Sequence, residues 1–236
     1  MWLRLLPLLC IVLPSTSLAQ QKVIEVPFDN TAVSGSPIEV TGKVLVQETI
    51  AGNQVRSAWE ENVTAKNISP KPILLLLGIL DAIGPYSDGG YELRIDRFFS
   101  QDVIPPQATI PLASGTTHRD ACCINPLDEA EDPKADFRVL FVQFLDGSTF
   151  GDPDSAQDML KNRASALHDL RGLIRAYLDH GAPAFQSRLQ QVHGIVFVRI
   201  RRTNKEEGAD AAISQARKML AIAEEHQAKF GKQSSE

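Results

Sequence analysis

The chain has 236 residues, with 24 lysines and arginines against 29 aspartates and glutamates and a formal net charge of −5, a balance that argues against a nucleic-acid binder. Only three cysteines occur in this length, which excludes a disulfide-framework protein, and the size allows one sizeable core plus an extension or two small units. The charge is uneven: residues 20–151 carry 10 basic and 18 acidic side chains and residues 152–236 carry 13 and 11, which predicts two different structural units.

Arg4, the apolar run over residues 5–13 and the small residues Ser17 and Ala19 predict a signal peptide over residues 1–19, cleaved after Ala19. The run is far shorter than the ~20 residues that span a bilayer and is broken by Pro7 and Pro14, so no stable membrane span is expected. Leu9 before Cys10 argues against a lipid anchor. The expected location is extracytoplasmic, either periplasm or medium.

Ile38, Val40, Val44 and Val46 alternate with Glu39, Thr41, Lys43 and Gln47, the period-two pattern of a half-buried strand. Val55, Trp59 and Val63 repeat it after the turn Ala51-Gly52-Asn53, which predicts a long antiparallel hairpin. Asn67 and Ser69 followed by Pro70 and Pro72 then break the ladder, because proline has no amide hydrogen to donate. Asn62 and Asn67 both fit the glycosylation acceptor pattern.

Residues 73–80 are almost wholly apolar and bounded by Pro72 and Gly84-Pro85, as in a central strand buried on both faces. Further strands are predicted over residues 91–99, 109–112 and 137–145, the last ending in an Asp146-Gly147 turn. About seven short strands separated by turn chemistry predict an immunoglobulin-like antiparallel β-sandwich over residues 20–151, in an α+β chain.

Asp152-Pro153 is a helix start, an Asp cap before a proline at the first helical position. Leu160, Ala164, Leu167, Leu170, Ile174 and Tyr177 form an apolar stripe, and Gly181 with Pro183 stops the helix. A second helix is predicted over residues 183–192 and a third from about Ala209, using Ile213, Ala216, Leu220 and Ala223. Residues 195–202 alternate β-branched side chains like a strand yet lie between helices, so either state is open. The C-terminal helical extension thus covers residues 152–236.

The stretch Val63-Thr64-Ala65-Lys66-Asn67-Ile68-Ser69 with Lys71 and Ile73, and Pro105-Pro106 before Ile110, resembles immunoglobulin-like and fibronectin-like sandwiches of exported bacterial proteins. In these a strand ends at an Asn-x-Ser turn and a later proline-rich turn precedes another strand. The phrase Phe144-Leu145-Asp146-Gly147-Ser148-Thr149-Phe150-Gly151-Asp152 is similar to a segment of uncharacterised secreted bacterial proteins with this layout. The resemblance implies a fold and an address. The Cys-Trp-Cys pattern of antibody domains is absent.

The densest polar cluster is His118-Arg119-Asp120-Ala121-Cys122-Cys123, with Asp128, Glu129, Glu131 and Asp132 behind it. His118, Asp120 and Cys122 are the candidate metal ligands, although adjacent cysteines on an extended chain point to opposite faces and the set needs ligands from elsewhere. Cys122 and Cys123 are candidates for a vicinal disulfide, against the ordinary alternative of one buried and one free or intermolecular thiol. Asp146, Asp152 and Asp154 suggest calcium, but turn and cap roles account for them better.

No Gly-x-Ser-x-Gly elbow, phosphate-binding glycine loop or His-Glu-x-x-His helix occurs, and His168, His180, His193 and His226 are dispersed. No catalytic residue and no cofactor are therefore expected. Arg199, Arg201 and Arg202, with Lys205, form a basic patch suited to an acidic partner, a lipid head group, the chain's own acidic half or a second copy. The expectation is a non-enzymatic exported binding or scaffolding module with a protein partner or self-association. A metal- or thiol-dependent protein centred on residues 118–123 and an accessory subunit of an envelope complex are the alternatives.

Overall fold

The computed structural model describes residues 20–26, 28–29, 35–51, 54–83, 88–122 and 134–230. The expected signal peptide, the Gly52-Asn53 turn, Gly84-Pro85, Cys123 with the acidic residues 128–132, and the tail 231–236 lie outside these residues. Strands come first: β1 (Gln20–Val26), β2 (Phe28–Asp29), β3 (Ile38–Ala51), β4 (Gln54–Asn67), β5 (Ile73–Ile83), β6 (Asp88–Asp96), β7 (Thr109–Cys122), β8 (Lys134–Phe144) and β9 (Thr149–Gly151). A 3-10 turn (Pro153–Ala156) then leads into α1 (Gln157–Gln191), α2 (Ile195–Glu207) and α3 (Ala209–Phe230).

The period-two pattern of β3 and β4 forms the expected hairpin, in register from Ile38 opposite Asn67 to Ala51 opposite Gln54. It is the centre of a sheet ordered β1-β3-β4-β7; the second sheet runs β2-β8-β5-β6, with β9 also paired to β8. All pairings are antiparallel except the two-residue β2–β8 pair. Val40, Val44, Val46, Trp59 and Val63 from the first sheet share one apolar core with Ile73, Leu76, Leu80, Phe137 and Val142 from the second. A polar contact crosses that core: the Tyr91 hydroxyl on β6 donates to Glu61 Oε2 on β4.

β5 is buried on both faces, as its composition requires. Leu76 and Leu80 face the shared core, while Leu75 and Leu77 pack with Phe141 beneath Ala156, Met159 and Leu160 of the helical part. Gly78 interrupts this leucine run because a Cβ there would lie 2.3 Å from Phe137 Cζ and 2.9 Å from the Arg138 carbonyl oxygen. The glycine lets the Phe137 ring pass close to the β5 backbone where the β5–β8 register shifts.

Several sequence expectations need correction. β7 runs well beyond residue 112, so the polar cluster from His118 as far as Cys122 belongs to a strand. β6 ends at Asp96, and β1, β2 and β9 carry too little alternation to be read from sequence. Asp152 caps as expected, accepting from the Asp154 amide at 3.1 Å, and Gly181 breaks α1 at φ 72° and ψ −167°, with Pro183 just inside the second segment. Residues 195–202 are helical: Phe197 and Ile200, one turn apart, enter a core with Leu170, Leu173, Phe185, Leu189, Ile213 and Ala216. Their packing at helical spacing overrides the β-branched propensity. Ala164 is exposed, and the buried residue at that turn of α1 is Arg163.

The Asp146-Gly147 turn joins β8 to β9. Asp146 Oδ1 accepts from the Ser148 amide at 2.9 Å and its hydroxyl at 2.6 Å, and Lys71 Nζ lies 2.7 Å from Oδ2. Burial alone would raise this carboxyl, but the Lys71 and Ser148 hydrogen bonds outweigh it and hold it at about 2, below its ordinary 3.8. A carboxyl depressed in the folded state supports folding above its unfolded pKa and loses that support as pH falls through its folded one. Urea unfolding of Asp146→Asn is therefore expected to show a flatter decline in stability between pH 4 and pH 2 than the parent chain. Parallel curves would show that the turn contributes no acid sensitivity.

Candidate functional site

The outer face of the second sheet is not covered evenly by the helices. The start of α1 lies over β5 and β8, and α2 begins on the side of β6, which has a strand partner on one side only among the described residues. Between them is a groove of about 700 Å³, walled by Phe99, Met159, Ala166, Val196 and Phe197 and edged by the polar side chains of Arg94, Asn162, Ser165 and His193. This volume lies within the usual range of ligand pockets, and a seam between structural units is a usual place for one.

One wall is fixed by an ion pair. Arg163 reaches down from α1 to the end of β6, its Nε and Nη2 donating to Asp96 Oδ2 and Oδ1 at 2.9 and 2.7 Å. Nη1 donates to Gln143 Oε1 of β8 at 2.6 Å, and the guanidinium lies 4.6 Å from the centroid of Phe98. Its side chain is 6% exposed. On the side of α2 the lining includes Ile195, which is 88% exposed.

The structure separates this groove from the residues singled out by sequence. His118, Asp120 and Cys122 occupy alternate positions of β7, the edge strand of the other sheet, with His118 exposed beside Arg56 and Ser57. Among the described residues, no three His, Cys, Asp or Glu side chains converge as metal ligands. The vicinal disulfide with Cys123 lies outside the described residues.

No family model matches the chain, and no curated protein or solved structure does so significantly.

The basic patch is divided by the helical state of its segment. Arg201 Nη1 donates to the Val192 carbonyl at 2.9 Å and caps the end of α1, Arg202 Nε donates to Glu206 at 3.0 Å, and Arg199 is exposed. These contacts of Arg201 and Arg202 lie within the helical part. Sequence reading missed Arg163 and the groove together. The available signal was a charged residue midway between Leu160 and Leu167, on the stripe that must be buried. Asp146 and Asp152 are engaged in their turn and cap, and among the described residues no helix is long and apolar enough to cross a membrane.

Proposed function

We propose that this chain is an exported, non-enzymatic binding module that holds an apolar group of its partner in the groove between its strand and helical parts. The observation that carries this reading is the groove itself: about 700 Å³ of mostly apolar wall, with the exposed Ile195 among its lining residues. The polar groups Asn162, Ser165 and His193 at its edge suit orientation of a ligand by hydrogen bonds. Export rests on the leader-like pattern of residues 1–19.

We further propose that the strand part is a sandwich of immunoglobulin-like or fibronectin-like type. Two interlocked pairs support this: β4 pairs with β7 in one sheet while their successors β5 and β8 pair in the other. Adding β3 outside β4, with β6 outside β5 and β9 beside β8, gives a three-strand sheet facing a four-strand sheet, to which β1 and β2 are additions.

Binding of N-phenyl-1-naphthylamine, followed by its fluorescence, tests the groove. Saturable binding near one site per chain is expected at pH 7.5. Ser165→Trp, which places an indole in the groove from an exposed position, is expected to weaken binding tenfold or more while leaving thermal unfolding unchanged. Absence of saturable binding, or equal binding by the variant, would refute the groove reading.

A further inference from the structure

The last turns of α3 end against the chain segment that leaves β6. His226 is 5% exposed, and its Nδ1 lies 3.0 Å from the carbonyl oxygen of Phe98. A carbonyl only accepts, so Nδ1 carries the hydrogen and donates it. The Phe98 ring is shared: Arg163 of α1 lies over it, Phe99 packs edge-on with centroids 5.0 Å apart, and Phe230 of α3 lies 6.3 Å away. Phe98 thus joins the strand part to two helices, and its neighbours Arg163 and Phe99 line the groove.

The charged groups around His226 come from each packed element. Arg163 of α1 is held by Asp96 at the end of β6, Arg97 precedes Phe98, and Glu225 and Lys229 flank the ring on α3. Two residues back on α3, Glu224 pairs with Arg171 of α1. Burial is the largest influence and disfavours the imidazolium; the Phe98 carbonyl and Glu225 favour it, Lys229 and Arg163 oppose it, and the pKa falls below the ordinary 6.5.

We propose that His226 is an acid-sensitive latch on the groove: its protonation releases the end of α3 from the Phe98 segment and, through Arg163 and Phe99, loosens the wall of the groove. The gating half rests on the groove reading; the latch stands without it. A histidine whose pKa is lowered when docked favours docking fully above its free pKa. That preference is lost as pH falls below 6.5, by at most about tenfold in the opening equilibrium per pH unit.

Hydrogen exchange of the full chain, corrected for intrinsic rates, is the test. Between pH 7.5 and pH 5.0, opening of residues 222–230 is expected to increase about tenfold while residues 38–67 stay protected. His226→Gln, which keeps an N–H donor but does not titrate, is expected to abolish the response. An equal response in the variant, or one of equal size in residues 38–67, would overturn the latch. Should His226→Gln not fold, NMR titration of the parent imidazole replaces it: a pKa at or above 6.5, or no accompanying shift of α3 resonances, overturns the proposal. Absence of naphthylamine binding at pH 7.5 would remove the groove and leave the exchange result standing.

Discussion

Arg163→Ala is expected to destabilise the protein by about 3–5 kcal/mol, measured as the shift in urea midpoint at unchanged slope, because removing one member of a buried pair strands the other. Asp96 loses both guanidinium bonds, Gln143 loses its 2.6 Å contact and the Phe98 ring loses its cation. Asp96 is partly solvated and still accepts from the Phe98 amide at 2.9 Å, so the loss belongs at the lower end of this range. The double variant Asp96→Ala/Arg163→Ala is expected to recover about 1–3 kcal/mol relative to the sum of the single changes. Strict additivity would show that the pair does not act as a unit, and a loss below about 1 kcal/mol in Arg163→Ala would show that the seam is held by apolar packing alone.

The location of Arg163 also explains why the seam was hard to read. Periodicity reports which face of an element is buried, and it succeeded where burial is apolar: the β3–β4 hairpin, the doubly buried β5 and the helices before and after Gly181. It fails where one element carries a polar residue toward another, since Arg163 on a buried stripe and Glu61 on a buried strand face look like errors in the pattern until Asp96 and Tyr91 are placed beside them. Those partners lie 67 and 30 positions away in the chain. Residues 195–202 show a different limit, as their own propensity is for strand and only the core they enter makes them helical. The groove is a product of how the helices sit on the sheet, so beyond Arg163 it leaves little trace in sequence: Ile195, exposed at its edge, shares a face of α2 with Arg199 and Arg202.

Asn67→Ala is expected to cost about 3 kcal/mol, as several buried groups lose partners at once. The side chain is 0% exposed: Nδ2 donates to the carbonyls of Lys71 and Ile104 at 2.9 and 3.0 Å, and Oδ1 accepts from the Ser69 amide and hydroxyl at 3.0 and 2.7 Å. Asn67 thereby ties the β4–β5 connection to the segment before β7, beside the Ile73–Ile104 bridge. Asn67→Asp keeps the shape but turns an oxygen toward two carbonyls, so it is expected to be worse than alanine at neutral pH and to improve relative to alanine as pH falls toward the ordinary carboxyl range of about 4, because burial raises its folded pKa and the protonated acid can donate. Equal pH profiles for the two variants would refute this hydrogen-bond assignment. The same geometry separates the two glycosylation acceptor patterns: a glycan on Nδ2 of Asn67 is incompatible with its buried bonds, whereas Asn62 is exposed on β4. Folded protein from a glycosylating host is expected to carry sugar at Asn62 and none at Asn67 by peptide mass spectrometry, and full occupancy of Asn67 in the folded population would contradict the burial on which the connection depends.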